Sequence, residues 1–142
     1  MKRFLLCGLT ELLLTAAVCA QDLKAAQVPP AVRAALVKKY PSATKVGWEK
    51  EKGNYEANWG GRSKEDSSVT FTPEAAFVEI VVAIRVADLP AGVATYVKAH
   101  YPASKIKEAG RVVDAAGKVS FEAEIMGKDL IFDEKGNFVK AD

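Results

Sequence analysis

The sequence predicts an α+β fold, a tandem repeat of a helix packed on a four-stranded antiparallel sheet. Three observations predict it. A tyrosine-proline step recurs 61 positions apart, in KKYPSATK at Lys38–Lys45 and KAHYPASK at Lys98–Lys105. An apolar stripe with a spacing of four runs into each step. Segments of alternating apolar and polar residues follow each step, separated by glycine-bearing turns.

The stripes define the helices. Val28, Val32, Leu36 and Tyr40 map by the 61-residue offset onto Leu89, Val93, Val97 and Tyr101. Residues four apart share one helix face. Pro29 and Pro90 follow the first apolar residue of each stripe, where a missing N–H costs nothing. Pro41 and Pro102 disfavour helical geometry in the preceding tyrosine, so each helix stops there and its ring reaches toward the core.

The strands follow from alternation. Tyr55, Ala57 and Trp59 oppose Glu56 and Asn58. Val119, Phe121, Ala123 and Ile125 oppose Ser120, Glu122 and Glu124. Such alternation implies one packed face and one wet face. Glu51–Asn54, Gly60–Ser67, Asp114–Lys118 and Asp133–Asn137 read as hairpin loops. Phe77–Val86 is apolar in both rows and reads as a strand buried on both faces, bridging the copies. An exposed edge on that strand, used for self-association, is the other reading. A lone unit of about 60 residues is marginal, so the copies are expected to share one body.

The first twenty residues stand apart. Lys2 and Arg3 precede an apolar stretch that ends in Val18-Cys19-Ala20. This pattern is that of a secretory signal peptide cleaved after Ala20, although Glu11 interrupts the apolar run. Acylation of Cys19 is the competing expectation. Cleavage removes both cysteines, Cys7 and Cys19, and leaves no disulfide or thiolate site. It also removes Lys2, Arg3 and Glu11, leaving a formal charge of +1. A near-neutral chain without a clustered basic face gives no reason to expect nucleic acid. No stretch reaches the roughly 20 apolar residues of a spanning helix. The expected organisation is a signal peptide at 1–20, a lead-in at 21–27, a first αββββ repeat at 28–86 and a second at 87–142.

The quoted features together resemble the PepSY-like family, secreted bacterial proteins often described as β-lactamase-inhibitor-like. The features are Val28-Pro29 and Leu89-Pro90, Tyr40-Pro41 and Tyr101-Pro102, Trp48-Glu49, and Phe132-Asp133 with Gly136. The resemblance runs from about Val28 to Lys140. It implies a periplasmic or surface protein with a helix-plus-sheet fold and no catalytic residues. An inhibitor label resting on fold likeness does not establish function. Two positions depart from the pattern. Ala75 stands where the second copy has Gly136, which suggests that the first turn has changed shape. The second copy has no counterpart of Trp48.

No residue set points to chemistry. His100, the one histidine, has no triad companions and no second histidine for a metal face. Glu122 and Glu124 share a strand face, with Glu56 at the matching place; paired carboxylates can serve as acid and base or hold a cation. Charges alternating along a wet strand are also the ordinary state of a sheet. Trp48, Tyr55 and Trp59 read as core rather than as an aromatic patch. No cofactor and no metal are expected.

The sequence is therefore read as an exported, non-enzymatic binding or inhibitor-like module. Its partner, a protein or peptide with a basic patch, is expected on the open sheet face carrying Glu56, Asn58, Glu122 and Glu124. The alternative is a periplasmic ligand-sensing or envelope-stress accessory protein that binds a small molecule or peptide between the lobes. Aromatic anchors on an exposed face would favour the first, an enclosed apolar pocket the second.

Overall fold

The computed structural model describes residues 20–61 and 66–142. The signal-peptide and Cys19 expectations, and residues 62–65 of the Gly60–Ser67 loop, lie outside the described residues. The described chain is mixed α and β. Its strands are β1 (Gln21–Leu23), β2 (Gly47–Glu51), β3 (Asn54–Trp59), β4 (Ser67–Phe71), β5 (Phe77–Ile84), β6 (Glu108–Asp114), β7 (Val119–Ile125), β8 (Lys128–Asp133) and β9 (Phe138–Ala141). Helix α1 (Pro30–Lys39) precedes β2, and α2 (Ala91–His100) precedes β6.

All nine strands form one antiparallel sheet in chain order. A separate four-stranded sheet per copy is thus replaced by a continuous one. β5 and β6 pair over six residues, from Glu79↔Asp114 to Ile84↔Ala109, and no break separates the halves.

Both helices lie on one face and build two separate cores. Val28, Val32 and Leu36 pack on Trp48, Ala57, Val69 and Phe71. Val93 and Val97 pack on Ala123, Ile125, Leu130 and Phe132. Each helix starts at a proline, with Pro29 and Pro90 in matching extended geometry. Each ends at a tyrosine whose N–H bonds the carbonyl four residues back, Tyr40 to Leu36 and Tyr101 to Val97, both at 2.7 Å. The tyrosine rings are half-buried against the core margins rather than inside them. Tyr40 packs on Trp59 with ring centroids 5.4 Å apart. Burial pushes the Tyr40 phenol above its ordinary pKa.

Trp48 is buried and Tyr55 and Trp59 pack against the first core, as their strand parity predicts. The central strand departs from expectation. No residue of β5 is fully buried, and Val82 is 41% exposed. The buried helix cores rest on β2–β4 and on β7–β8, and of β5 only Phe77 and Ile80 lean on the first core. β5 is paired on both sides, which rules out self-association through an open edge of Phe77–Val86.

Several elements were not read from the sequence. β1 lies within the lead-in and pairs with β2. Short 3-10 turns occupy Ala25–Gln27 and Val86–Asp88, again 61 residues apart. A two-residue hairpin at Met126–Gly127 has both φ angles positive, like Lys52–Gly53, the geometry that matches sheet twist.

The Ala75 turn keeps its shape. Ala75 has φ 66° and Gly136 has φ 84°. The Ala75 N–H bonds the Thr72 carbonyl, and the Gly136 N–H bonds the Asp133 carbonyl, both at 2.9 Å. Alanine therefore bears left-handed strain. The reverse exchange is blocked sterically, since a Cβ on Gly136 would lie 2.9 Å from Pro90 Cβ. Left-handed alanine costs about 1–2 kcal/mol, less what glycine loses in the unfolded chain. Ala75→Gly should accordingly gain about 0.5–1 kcal/mol in denaturant unfolding. Gly136→Ala should lose at least about 1–2 kcal/mol. Equal and opposite small effects would contradict the steric part of this account.

Asp133 anchors the β8–β9 turn. Its Oδ1 accepts from the backbone N–H of Lys135 and Asn137 at 2.9 and 2.8 Å. The Asn137 side-chain amide, donating to Oδ2 at 2.9 Å, contributes most, with the backbone bonds behind it, to holding the carboxyl below the usual carboxylate range. A depressed folded value means stability present above the unfolded value, about 3.9, and lost as pH falls through the folded one. Asp133→Ala should lower the unfolding midpoint at neutral pH. The gap to wild type should close on acidification.

Candidate functional site

The sheet face without helices carries the candidate site. Cross-strand register assigns it. One row runs Glu49, Glu56, Thr70, Glu79 and Asp114, and the next runs Asn58, Ser68, Val81, Val112 and Ser120. These residues alternate with those beneath the helices, as the pleat requires.

This face is a trough, not a platform. Lys52, in the β2–β3 turn, lies 3.9 Å from the Asp142 carboxylate beyond β9. In a flat sheet β3 and β9 would stand about 29 Å apart, at six strand spacings. Sheet curl brings the two regions together. The concave side encloses a cavity of about 250 Å³. Glu51, Glu56, Glu79, Glu122 and Asp142 line it with Lys52 and Lys140, five carboxylates against two ammonium groups. Ser68, Thr70, Val81, Val112 and Ile131 form much of the floor.

The four sequence-predicted residues all fall on this face, but they are not wet. Glu122 is 4% exposed, Glu124 7% and Asn58 8%, while Glu56 is half-buried. Concavity accounts for the difference, because neighbouring strands converge over a face that a flat sheet would leave open. Glu56 and Glu122 both line the cavity. Ser68 Oγ donates to Glu56 Oε1 and orients that carboxylate. Glu124 stands one pleat further along, beside Lys107 Nζ at 3.5 Å. Asn58 stands at the matching place on β3. Its Oδ1 is buried and has no hydrogen-bond donor.

Sequence reasoning missed Glu51, Glu79, Lys52, Lys140 and Asp142. Glu79 carried a signal, as the single charge inside an otherwise apolar strand. Lys52 and Asp142 carried none, since only the curl unites positions so far apart in the chain. Chemically the cavity offers carboxylates, hydroxyls and an amide oxygen, a surface suited to cations and N–H donors. Among the described residues, no group of three or more His, Cys, Asp or Glu is arranged to hold a metal ion. No aromatic side chain lines the cavity among the described residues. No helix among them is long and apolar enough to cross a membrane.

A family model described as "Putative beta-lactamase-inhibitor-like, PepSY-like" matches residues 17–77 and again 61–140. The chain belongs to the PepSY-like family. No curated protein matches it. Solved structures share the fold. A periplasmic protein from Bacteroides eggerthii aligns with a TM-score of 0.67 at 22% identity, over 81% of this chain and 88% of that one. A DUF2874 family protein from Bacteroides uniformis aligns at 0.66 and 22%, over 80% and 88%. A BLIP-like protein from Bacteroides fragilis aligns at 0.58 and 23%, over 80% and 84%. At these identities the likeness is one of fold.

The curl has a direct chemical test. A zero-length carbodiimide should join Lys52 to Asp142 within one chain, read as a cross-linked peptide pair by mass spectrometry. A flat sheet would leave the pair unjoined, and Lys52→Arg should abolish the product.

Proposed function

We propose that this protein is an exported, non-enzymatic binding or inhibitor-like module whose partner, a protein or peptide, enters the concave sheet face. The observation that carries the reading is the charge of that face. A chain of formal charge +2 presents a cavity with five carboxylates and two lysines. Such a concentration favours a basic partner and sets association rate and salt dependence. Membership of a family described as inhibitor-like supports a binding role over catalysis. Glu56, Asn58, Glu122 and Glu124 are the proposed contact residues.

The ligand-sensing alternative gains less support. The cavity of about 250 Å³ falls below the roughly 300–1,000 Å³ of small-molecule pockets, and its lining is not predominantly apolar. Periplasmic relatives and the basic start of the chain support export, with cleavage after Ala20 as the proposed processing. We further infer that 28–86 and 87–142 are two copies of one unit. The helix-plus-four-strand order, the matched prolines and tyrosines, and the twofold family match support this.

Capture from periplasmic extract with wild-type bait, followed by purification of the partner, tests the reading. Charge reversal of Glu56, Glu122 and Glu124 together should weaken binding and flatten its salt dependence. Unchanged binding, with loss on altering Lys38 and Lys98 on the helices, would reject the sheet face.

A further inference from the structure

Export creates a reactive pair of groups at the start of β1. Cleavage after Ala20 makes Gln21 the first residue of the mature chain and frees its α-amine. Gln21 is also the first residue of β1. It is exposed and stands opposite Lys50 at the margin of the sheet, where β1 has a neighbouring strand on one side only. The chain's other glutamine, Gln27, has its side-chain oxygen engaged by the Lys24 N–H at 2.8 Å.

We propose that Gln21 of the mature protein is converted to pyroglutamate. This rests on export with the cut after Ala20. The α-nitrogen lone pair attacks the side-chain carbonyl carbon and forms the N–Cδ bond. The Cδ–Nε2 bond then breaks, the proton given up by the amine passes to the departing nitrogen, and ammonia leaves. No oxidant, reductant or co-reactant enters. Nucleophile and carbonyl belong to one residue, so their encounter costs no translational freedom. An α-amine titrates at about 7.7–8.0, low enough to leave a neutral, nucleophilic fraction at neutral pH.

Position in the fold permits the ring and gives it a use. At the strand end an exposed side chain can turn back along its own backbone without vacating a packed site. The lactam keeps one N–H and the residue's carbonyl, so the ladder from Gln21↔Lys50 to Leu23↔Trp48 retains its backbone groups. β1 also matters to the core, because Leu23 packs against the first cluster. Chain termini are where proteolytic trimming concentrates. Aminopeptidases that bind an α-ammonium find none on the lactam, and Leu23 is kept in place.

The full chain is expressed in an exporting bacterium and recovered from the periplasm. Free α-amines are tagged at once on the intact protein by reductive methylation, so that cyclisation during later digestion is not counted. Mass spectrometry should find an untagged N-terminal peptide starting at Gln21, lighter by one ammonia than the unmodified peptide. Stepwise N-terminal degradation of a second, untagged sample should be blocked, and should read Asp22-Leu23-Lys24 after treatment with pyroglutamyl peptidase. Gln21→Asn is the control, since its shorter side chain would have to close a strained four-membered ring. That variant should be tagged and open to degradation, and leucine aminopeptidase should shorten it while sparing the wild type. A tagged Gln21 terminus overturns the lactam and leaves export standing. A terminus at acylated Cys19, or retention of Met1, overturns the cut after Ala20 and the lactam together.

Discussion

The β5–β6 ladder is the constraint on which the rest of the molecule depends. The buried residues beneath the helices form two clusters that share no member, one beneath α1 and one beneath α2, while Ala109 and Val112 of β6 are buried outside both. The first cluster reaches β5 only through the half-buried Phe77 and Ile80, and no residue of β5 is fully buried. The halves are therefore joined chiefly by six backbone-paired positions. A small helix-plus-sheet unit buries only about 60% of its unfolded surface, and the shared ladder removes one exposed edge from each. Sheet continuity also creates the trough, because twist accumulates with every added strand. Two unjoined sheets would carry the same side chains without enclosing a cavity.

Much of the fold was legible because its signals are local. A stripe of spacing four, a proline at each end and a tyrosine before the second proline fix a helix within a dozen residues. Alternation fixes which strand residues meet the helices, and Phe121, Ala123 and Ile125 obey it. What failed was local only in appearance. Ala75 was expected to reshape its turn, yet the hydrogen bonds of Thr72 hold the loop and alanine adopts the left-handed conformation. The Met126–Gly127 hairpin was missed because methionine gives no turn signal. β1 was missed because three exposed polar or half-buried residues carry no pattern, and β2 supplies its order.

The candidate site was legible by parity and illegible by depth. Alternation placed Glu56, Asn58, Glu122 and Glu124 on the correct face. It said nothing of curvature, which sums small rotations over nine strands and has no residue-level signature. Curvature turned a face expected to be wet into one where Glu122 is nearly fully covered. It also recruited Asp142 from the end of the chain and Lys52 from the first hairpin.

Composition concealed the same fact in another way. A net charge near zero describes a uniform molecule and a polarised one equally well. Here the last turns of the helices carry Lys38, Lys39, Lys98 and His100, where basic groups complement the helix dipole. The carboxylates gather on the opposite side of the sheet. Each arrangement has its own local cause: helix C-termini favour cations, and the pleat sends alternating strand residues away from the core. Their sum is a separation of charge across the sheet, of the kind that steers a partner of opposite charge. A sheet with one covered face thus separates charge as a consequence of its packing, and the concave side concentrates what has been separated.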